Sequence, residues 1–466
     1  MQTRTVRLKP RNLVTEILPI NMRSAGCRRQ AGIHPTVPSQ RERIPFSIFS
    51  RGIPNTKYSK ARKNILAAIC ALLLVGTFCT WAQAAAVCSQ PGIQVLAPSD
   101  TTITSATAQI NPAAYCDVFG YVTTQTDSTT NKVMFELGLP DAWNGGFELS
   151  GNGGFGGSLN TGQLPVTLLI PFGWATAVSD TGHESSSSGP ELDGSFALNN
   201  PAARDDWLYR SSHVVTVASQ AIIKGYLSQA PLSFFWGCST GGRQGLVEAQ
   251  QFPSDFNGIV SIAPPIGNWV AGFNWDSEHV TAGADSFIPP DKIALVDQTV
   301  LKSCDKTDGV RDGLIQDPRA CNFDPQSLQC KGADSSTCLT AAQVATLKAV
   351  YQGAKKSYPG YTQSDPGSDS TDNGWADWIT GLTAPDALGT AEPWSSLHNA
   401  PGQFLFQDQF LKFLVFNDPK YNSLTFDLTD LTQLAKLQAV VMRGGADASN
   451  PDLSAFRNNG GKLLIF

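Results

Sequence analysis

Ser239 sits in Gly237-Cys238-Ser239-Thr240-Gly241, a G-x-S-x-G pattern. A serine hydroxyl attacks a carbonyl only when it is held out on a tight turn, with a base beside it and N–H groups nearby to take up the oxyanion charge. The pattern suits such a turn, because its glycines let a strand reverse directly into a helix. Acyl transfer is the chemistry it permits. Glycine and serine are common in loops, so the flanks carry the weight. Leu232-Ser233-Phe234-Phe235-Trp236 is an apolar run that reads as a buried strand, and Gln244–Gln250 reads as a helix. The helix N-terminus then faces the serine, and the N–H of the following residue, Thr240, is placed to donate to an oxyanion.

Two further stretches carry chemical potential. Gly146–Ser150 has strand character and feeds Gly151-Asn152-Gly153-Gly154-Phe155-Gly156-Gly157, a loop type that binds phosphate, supplies an oxyanion N–H, or is simply a flexible turn. The dinucleotide reading fails, since no Lys or Arg follows closely and no βαβ unit with a placed acid is apparent. Cys304-Asp305-Lys306-Thr307-Asp308-Gly309-Val310-Arg311-Asp312-Gly313-Leu314 crowds three carboxylates into a short loop. Such oxygens suit Ca2+, with a solvated acidic turn as the alternative; the EF-hand spacing and distal Glu are lacking.

The histidines do not offer an evident base. Gly173–Ser179 suits a buried parallel strand with Asp180 and His183 just beyond it, but His183 precedes the serine, whereas hydrolase triads of this kind run Ser, acid, His. Asp180 and His183 therefore read as structural or pocket-lining. His213 lies in an amphipathic helix over Tyr209–Leu227 and reads as a packed or hydrogen-bonded residue. His398 is the last histidine, at an atypical place for a base. Thr102–Ile110 and Lys132–Leu139 add strand character, Phe252–Pro265 reads as a turn and another short buried strand, and Thr340–Tyr351 as a helix. Trp375, Trp378, Trp394 and Phe404 fit either an aromatic ligand's pocket or an ordinary core.

With 466 residues there is room for a large core or for several domains. The formal charge of -5 hides an asymmetry: residues 1–63 hold 14 Lys/Arg against 2 Asp/Glu, and the remainder holds 20 against 37. An acidic body argues against nucleic-acid binding. The apolar run Ile65–Thr80, preceded by Lys57, Lys60, Arg62 and Lys63 and followed by Ala82-Gln83-Ala84, predicts a secretory signal peptide within a basic leader (1–84). An uncleaved anchor is the alternative, although the run is short for a bilayer span. Export to a secreted or periplasmic setting permits disulfides. Cys27, Cys70 and Cys79 fall in the leader and seven cysteines remain, an odd number. No C-x-x-C spacing points to a metal site among them.

Gly237-Cys238-Ser239-Thr240-Gly241-Gly242-Arg243-Gln244-Gly245 resembles the signature of the tannase and feruloyl esterase family of secreted α/β-hydrolases, a family that also resembles mono(hydroxyethyl) terephthalate hydrolase. Gly173–His183 resembles it too. The resemblance spans about 88–466. It implies an α/β-hydrolase core (85–267), an inserted lid domain with a calcium loop (268–430), and a return to the core (431–466).

It makes Ser239 the nucleophile of a Ser-Asp-His triad acting on hydroxycinnamate- or gallate-type esters. Thr240 with Gly153 or Gly154 would form the oxyanion hole. Ca2+ would be held by the Asp305, Asp308 and Asp312 side chains with the Val310 and Leu314 carbonyls. The implied disulfides are Cys88 with Cys116, Cys304 with Cys321, and Cys330 with Cys338. Cys238 would be left unpaired, since its family partner follows the catalytic histidine. That histidine and the triad's Asp are expected beyond Phe466, because Lys462–Phe466 reads as the strand that precedes the acid. A chain ending there would be close to inactive. The alternative is a catalytically incomplete remnant or a binding protein for aromatic esters.

Overall fold

The computed structural model describes residues 87–185, 189–354, 358–363, 366–367, 374–396 and 398–466. The predicted basic leader and signal peptide (1–84) lie outside the described residues. One sheet of eight strands organises the chain, in the order β1 (Thr101–Gln109), β2 (Tyr115–Gln125), β3 (Thr130–Pro140), β5 (Ala175–Ser179), β4 (Gly146–Ser150), β6 (Leu232–Cys238), β7 (Gly258–Ile262), β8 (Lys462–Ile465). The first three strands form an antiparallel meander, and β3 pairs antiparallel with β5. From β5 through β4, β6 and β7 to β8 every pairing is parallel.

Burial follows this division. Every residue of β4 and β5 is buried, as befits parallel strands covered on both faces. β2 alternates buried with part-exposed positions. It was not anticipated, because Asp117 and Gly120 interrupt its apolar pattern; Gly120 is needed there, since a Cβ would sit 2.6 Å from the Thr102 carbonyl oxygen of β1. β8 is an exposed edge, with Leu464 and Ile465 half exposed. A cavity of about 520 Å³ runs along the sheet face beneath it, lined by Trp174, Phe234, Trp236, Val260 and Leu464 among others.

Counting helices of eight residues or more, α1 (Ser211–Leu227) and α2 (Thr240–Gln251) bracket β6, followed by α3 (Trp269–Val280), α4 (Pro290–Cys304), α5 (Ala341–Gln352), α6 (Gly402–Gln409) and α7 (Leu431–Val441). α5 begins with a capping box, Thr340 with Gln343. The sheet core gathers Phe135, Leu137, Phe147, Phe235 and Ile259 with Val215 and Ile222 of α1. Residues between 280 and 405 build a second cluster around Ile293, Val296, Leu347 and Ile379. Trp375, Trp394 and Phe404 are buried in it as ordinary core, and Trp378 packs against Phe273 and Phe406.

Three disulfides join described residues: Cys88–Cys116, Cys304–Cys321 and Cys330–Cys338. Cys238 is disulfide-bonded as well, which corrects the expectation of an unpaired sulfur. Among the described residues no helix is long and apolar enough to cross a membrane.

Two tight spots tie α2 to β6 and β7. A Cβ on Gly237 would lie 2.5 Å from the Gly241 carbonyl carbon and oxygen, and one on Gly242 would lie 2.3 Å from the Ile262 oxygen. Backbone cannot retreat as a side chain can. Gly237→Ala is expected to destabilise by roughly 2–3 kcal/mol through overpacking, read as a lower midpoint in urea, whereas Gly332→Ala, with nothing within 4 Å of its Cβ, should change stability by less than about 0.5 kcal/mol.

Candidate active site

Ser239 stands between the last residue of β6 and the first of α2 with φ 56 and ψ -122, a conformation that side-chain-bearing residues rarely adopt. The strain lifts the side chain out of the turn, and Ser239 is part-exposed. Its own N–H is spent on the Ile262 carbonyl at 2.9 Å. An oxyanion next to this hydroxyl therefore needs donors from its neighbours. Thr240, at the first position of α2, has no intrahelical acceptor for its N–H.

The glycine loop lies against the elbow. A Cβ on Gly151 would be 2.7 Å from the Gly241 Cα. Of the two candidate donors in the loop, Gly153 commits its N–H to the Thr161 carbonyl at 3.3 Å. Gly154 has φ 50 and no hydrogen-bonded partner for its N–H among the described residues. Its place is tight, because a Cβ there would meet the Glu191 oxygen at 2.2 Å.

Side chains that sequence reasoning passed over lock this arrangement. Gln163 grips the Cys238 peptide from both sides: its Nε2 donates to the Cys238 oxygen at 2.6 Å, and its Oε1 accepts from the Cys238 nitrogen at 2.7 Å. Gln244 Oε1 accepts from the Asn152 nitrogen at 3.1 Å, and Asn152 Nδ2 donates to the Ser179 carbonyl at 2.7 Å. Arg243 is fully buried; it donates to the Leu208 and Ala446 carbonyls from Nη1 and to Trp207 from Nη2, and its guanidinium lies 4.5 Å over the Trp207 ring. Burial without a carboxylate partner pushes its pKa down to about 10. Position inside a G-G-R-Q-G run was the only sequence signal for Arg243 and Gln244; Gln163 had none.

Among the described residues no imidazole is hydrogen-bonded to the Ser239 hydroxyl. His213 pairs with Asp255, His279 Nδ1 lies 2.8 Å from the Trp275 carbonyl of its own helix, and His398 is exposed. Asp180 Oδ1 accepts from the Met134 and Gly182 nitrogens, a backbone role at the end of β5. Its pKa is raised well above the usual carboxylate range by desolvation. His183 stacks on Phe196 at 3.7 Å, with neither ring nitrogen hydrogen-bonded, and burial pushes its pKa down to about 3.

In the acidic loop each carboxylate caps backbone. Asp305 Oδ1 accepts from the Asp312 and Gly313 nitrogens, Asp308 Oδ1 from Val310, and Asp312 Oδ1 from Leu314. The loop is exposed and closed by Cys304–Cys321. Its all-oxygen donor set suits a hard cation, although the three carboxylates are not gathered within 4.8 Å of one another.

A mixed sheet with a strained serine between a parallel strand and a helix, flanked by a glycine loop, defines an α/β-hydrolase. The chain belongs to the tannase and feruloyl esterase family, whose model matches residues 116–466. An uncharacterized esterase of Xanthomonas campestris is 31% identical over 424 residues, covering 85% of this chain and 69% of that protein. A probable feruloyl esterase B-2 of Aspergillus terreus is 30% identical over 380 residues, covering 78% of this chain and 63% of that one. The chain thus spans about two thirds of the length of these curated relatives. Among solved structures, feruloyl esterase B from Aspergillus oryzae superposes with a TM-score of 0.64 at 26% identity, covering 80% of this chain and 74% of that one. Tannin acyl hydrolase from Aspergillus niger shares the fold, with a TM-score of 0.57 at 17% identity, covering 82% and 75%.

His183 makes a testable contribution to acid sensitivity. Its folded pKa lies below the ordinary value of 6.5, so above pH 6.5 it is neutral in both states and has no effect. As pH falls from 6.5 towards 3, the unfolded chain takes up a proton that the folded chain refuses, and stability falls. His183→Gln should flatten this fall by on the order of 2–3 kcal/mol between pH 7 and 4.5, read from urea midpoints at both values. An identical pH dependence in the variant would remove His183 from the explanation.

Proposed function

We propose that this chain is the body of a secreted or periplasmic carboxylic ester hydrolase for aromatic esters of the hydroxycinnamate or gallate type. The observation that carries the reading is the φ 56 conformation of Ser239 between β6 and α2, with the Gly151–Gly157 loop packed on the elbow. Ser239 Oγ attacks the ester carbonyl, and the N–H groups of Thr240 and Gly154 hold the oxyanion. The acid and base that raise the hydroxyl's nucleophilicity are, as the family resemblance implies, an Asp and a His. The small-molecule ester is the only partner the reading requires.

The experiment is hydrolysis of methyl ferulate and methyl gallate by the whole protein, with the Asp and His that the reading requires, and by its Ser239→Ala variant. Turnover that falls by about 10³-fold or more in the variant supports the nucleophile; equal turnover above background in both sinks it. A second reading, a binding protein for aromatic esters, is favoured by the lack of any described imidazole bonded to Ser239. It requires saturable binding of methyl ferulate with both chains turning over at the uncatalysed rate.

We also assign a structural Ca2+ to the acidic loop, held by the Asp305, Asp308 and Asp312 side chains with the Val310 and Leu314 carbonyls. Bound there, the ion would neutralise the crowded carboxylates and tie the end of α4 to the chain leading to Cys321. Stripping Ca2+ with EGTA should lower Tm by a few degrees, and Asp305→Asn with Asp312→Asn should abolish the difference. Melting that is indifferent to EGTA would overturn the assignment.

A further inference from the structure

At the far end of α2 from Ser239, three side chains converge that neither the fold nor the proposed reaction uses. His213 comes from α1, Glu248 from the last turn of α2, and Asp255 from the turn before β7. One ligand atom of each lies within 4.8 Å of the others. His213 Nδ1 is 2.6 Å from Asp255 Oδ2, and the imidazole is stacked on Phe252 with ring centroids 3.8 Å apart. Gln220 Nε2 donates to the Asp255 carbonyl at 2.7 Å, fixing the turn.

Glu248 is the anomaly. It is 1% exposed, and neither of its carboxylate oxygens has a hydrogen-bond partner among the described residues. A buried carboxylate with nothing to donate to it costs several kcal/mol unless a cation or a proton neutralises it. Among the described residues no Lys or Arg is paired with it, and burial, with the repulsive charge of Asp255, drives its pKa upward.

We propose that His213, Glu248 and Asp255 bind one Zn2+. Two carboxylates balance its charge, and one imidazole nitrogen with two oxygens is a donor set that zinc accepts, whereas Ca2+ takes six to eight oxygens. Tetrahedral zinc with bonds of about 2.0–2.2 Å places its ligands about 3.3–3.5 Å apart. The cluster needs movements of about an ångström to meet that, chiefly the opening of the His213–Asp255 pair. A water completes the coordination on the side where His213 is 30% exposed. The Glu248 proton, where present, is released to solvent as the metal–oxygen bond forms. Glu248 is nine residues from Ser239, about 13 Å along the helix, so the ion acts as a clamp holding α1, α2 and the entry to β7 together.

The test uses the full chain, stripped of metals, returned to buffer with Ca2+ and titrated with Zn2+. One Zn2+ per chain with micromolar or tighter Kd is expected, with Tm raised by a few degrees at about 100-fold excess over Kd. Co2+ in place of Zn2+ should show the visible bands of a nitrogen- and oxygen-ligated tetrahedral ion. His213→Gln and Glu248→Gln should each lose the binding, the Tm rise and the Co2+ bands. Absence of Zn2+ binding by the parent overturns the proposal, as does undiminished binding in both variants. Should a variant fail to fold, the parent decides: octahedral, oxygen-only Co2+ bands would overturn the site as drawn.

Discussion

Close approach of backbone to backbone at the elbow is the constraint on which the rest depends. Gly237 touches Gly241, Gly241 touches Gly151, and Gly242 touches Ile262, at distances that leave no room for a Cβ. These contacts bring the ends of β4, β6 and β7 and the start of α2 into one small volume. There the strand turns sharply into a helix, and a non-glycine residue is carried at φ 56. The strain, of order 1–3 kcal/mol for such a conformation, is held at the end of β6, beside the wholly buried β4.

Backbone proximity alone does not define an orientation, and polar side chains complete it. Gln163 holds the Cys238 peptide by donor and acceptor together, so neither a slide nor a rotation of the strand end preserves both bonds. Gln244 and Asn152 link α2 to the glycine loop and to β5. Arg243 reaches across to the carbonyls of Trp207, Leu208 and Ala446, and so joins the elbow helix to chain on either side of the second core. In a low-dielectric interior, groups of this kind are stabilising only when satisfied. That is why they specify one arrangement rather than merely filling space.

The same helix carries two kinds of chemistry at its two ends. Its N-terminus presents uncommitted N–H groups beside a hydroxyl, where negative charge is favoured. Its C-terminal turn buries a carboxylate beside a second one and an imidazole, where a cation is favoured. Family membership accounts for the first end. The second follows from the burial of Glu248 in this particular chain.

Much of the site was legible locally. The glycine spacing around Ser239, the apolar run before it and the glycine loop depend on residues within a few positions of one another, and their signals survive in one dimension. By itself the sequence determined the elbow, most of the central strands and the composition of the acidic loop. Gln163, the pairing of His213 with Asp255 and the bonded state of Cys238 rest on contacts with residues distant in the chain. β2 escaped notice because its pattern is broken by a glycine whose reason is a neighbouring strand. Those features the tertiary structure alone decided, since hydrogen-bond partners and Cβ clashes are set by which backbones meet, and no local pattern of residue types encodes that meeting.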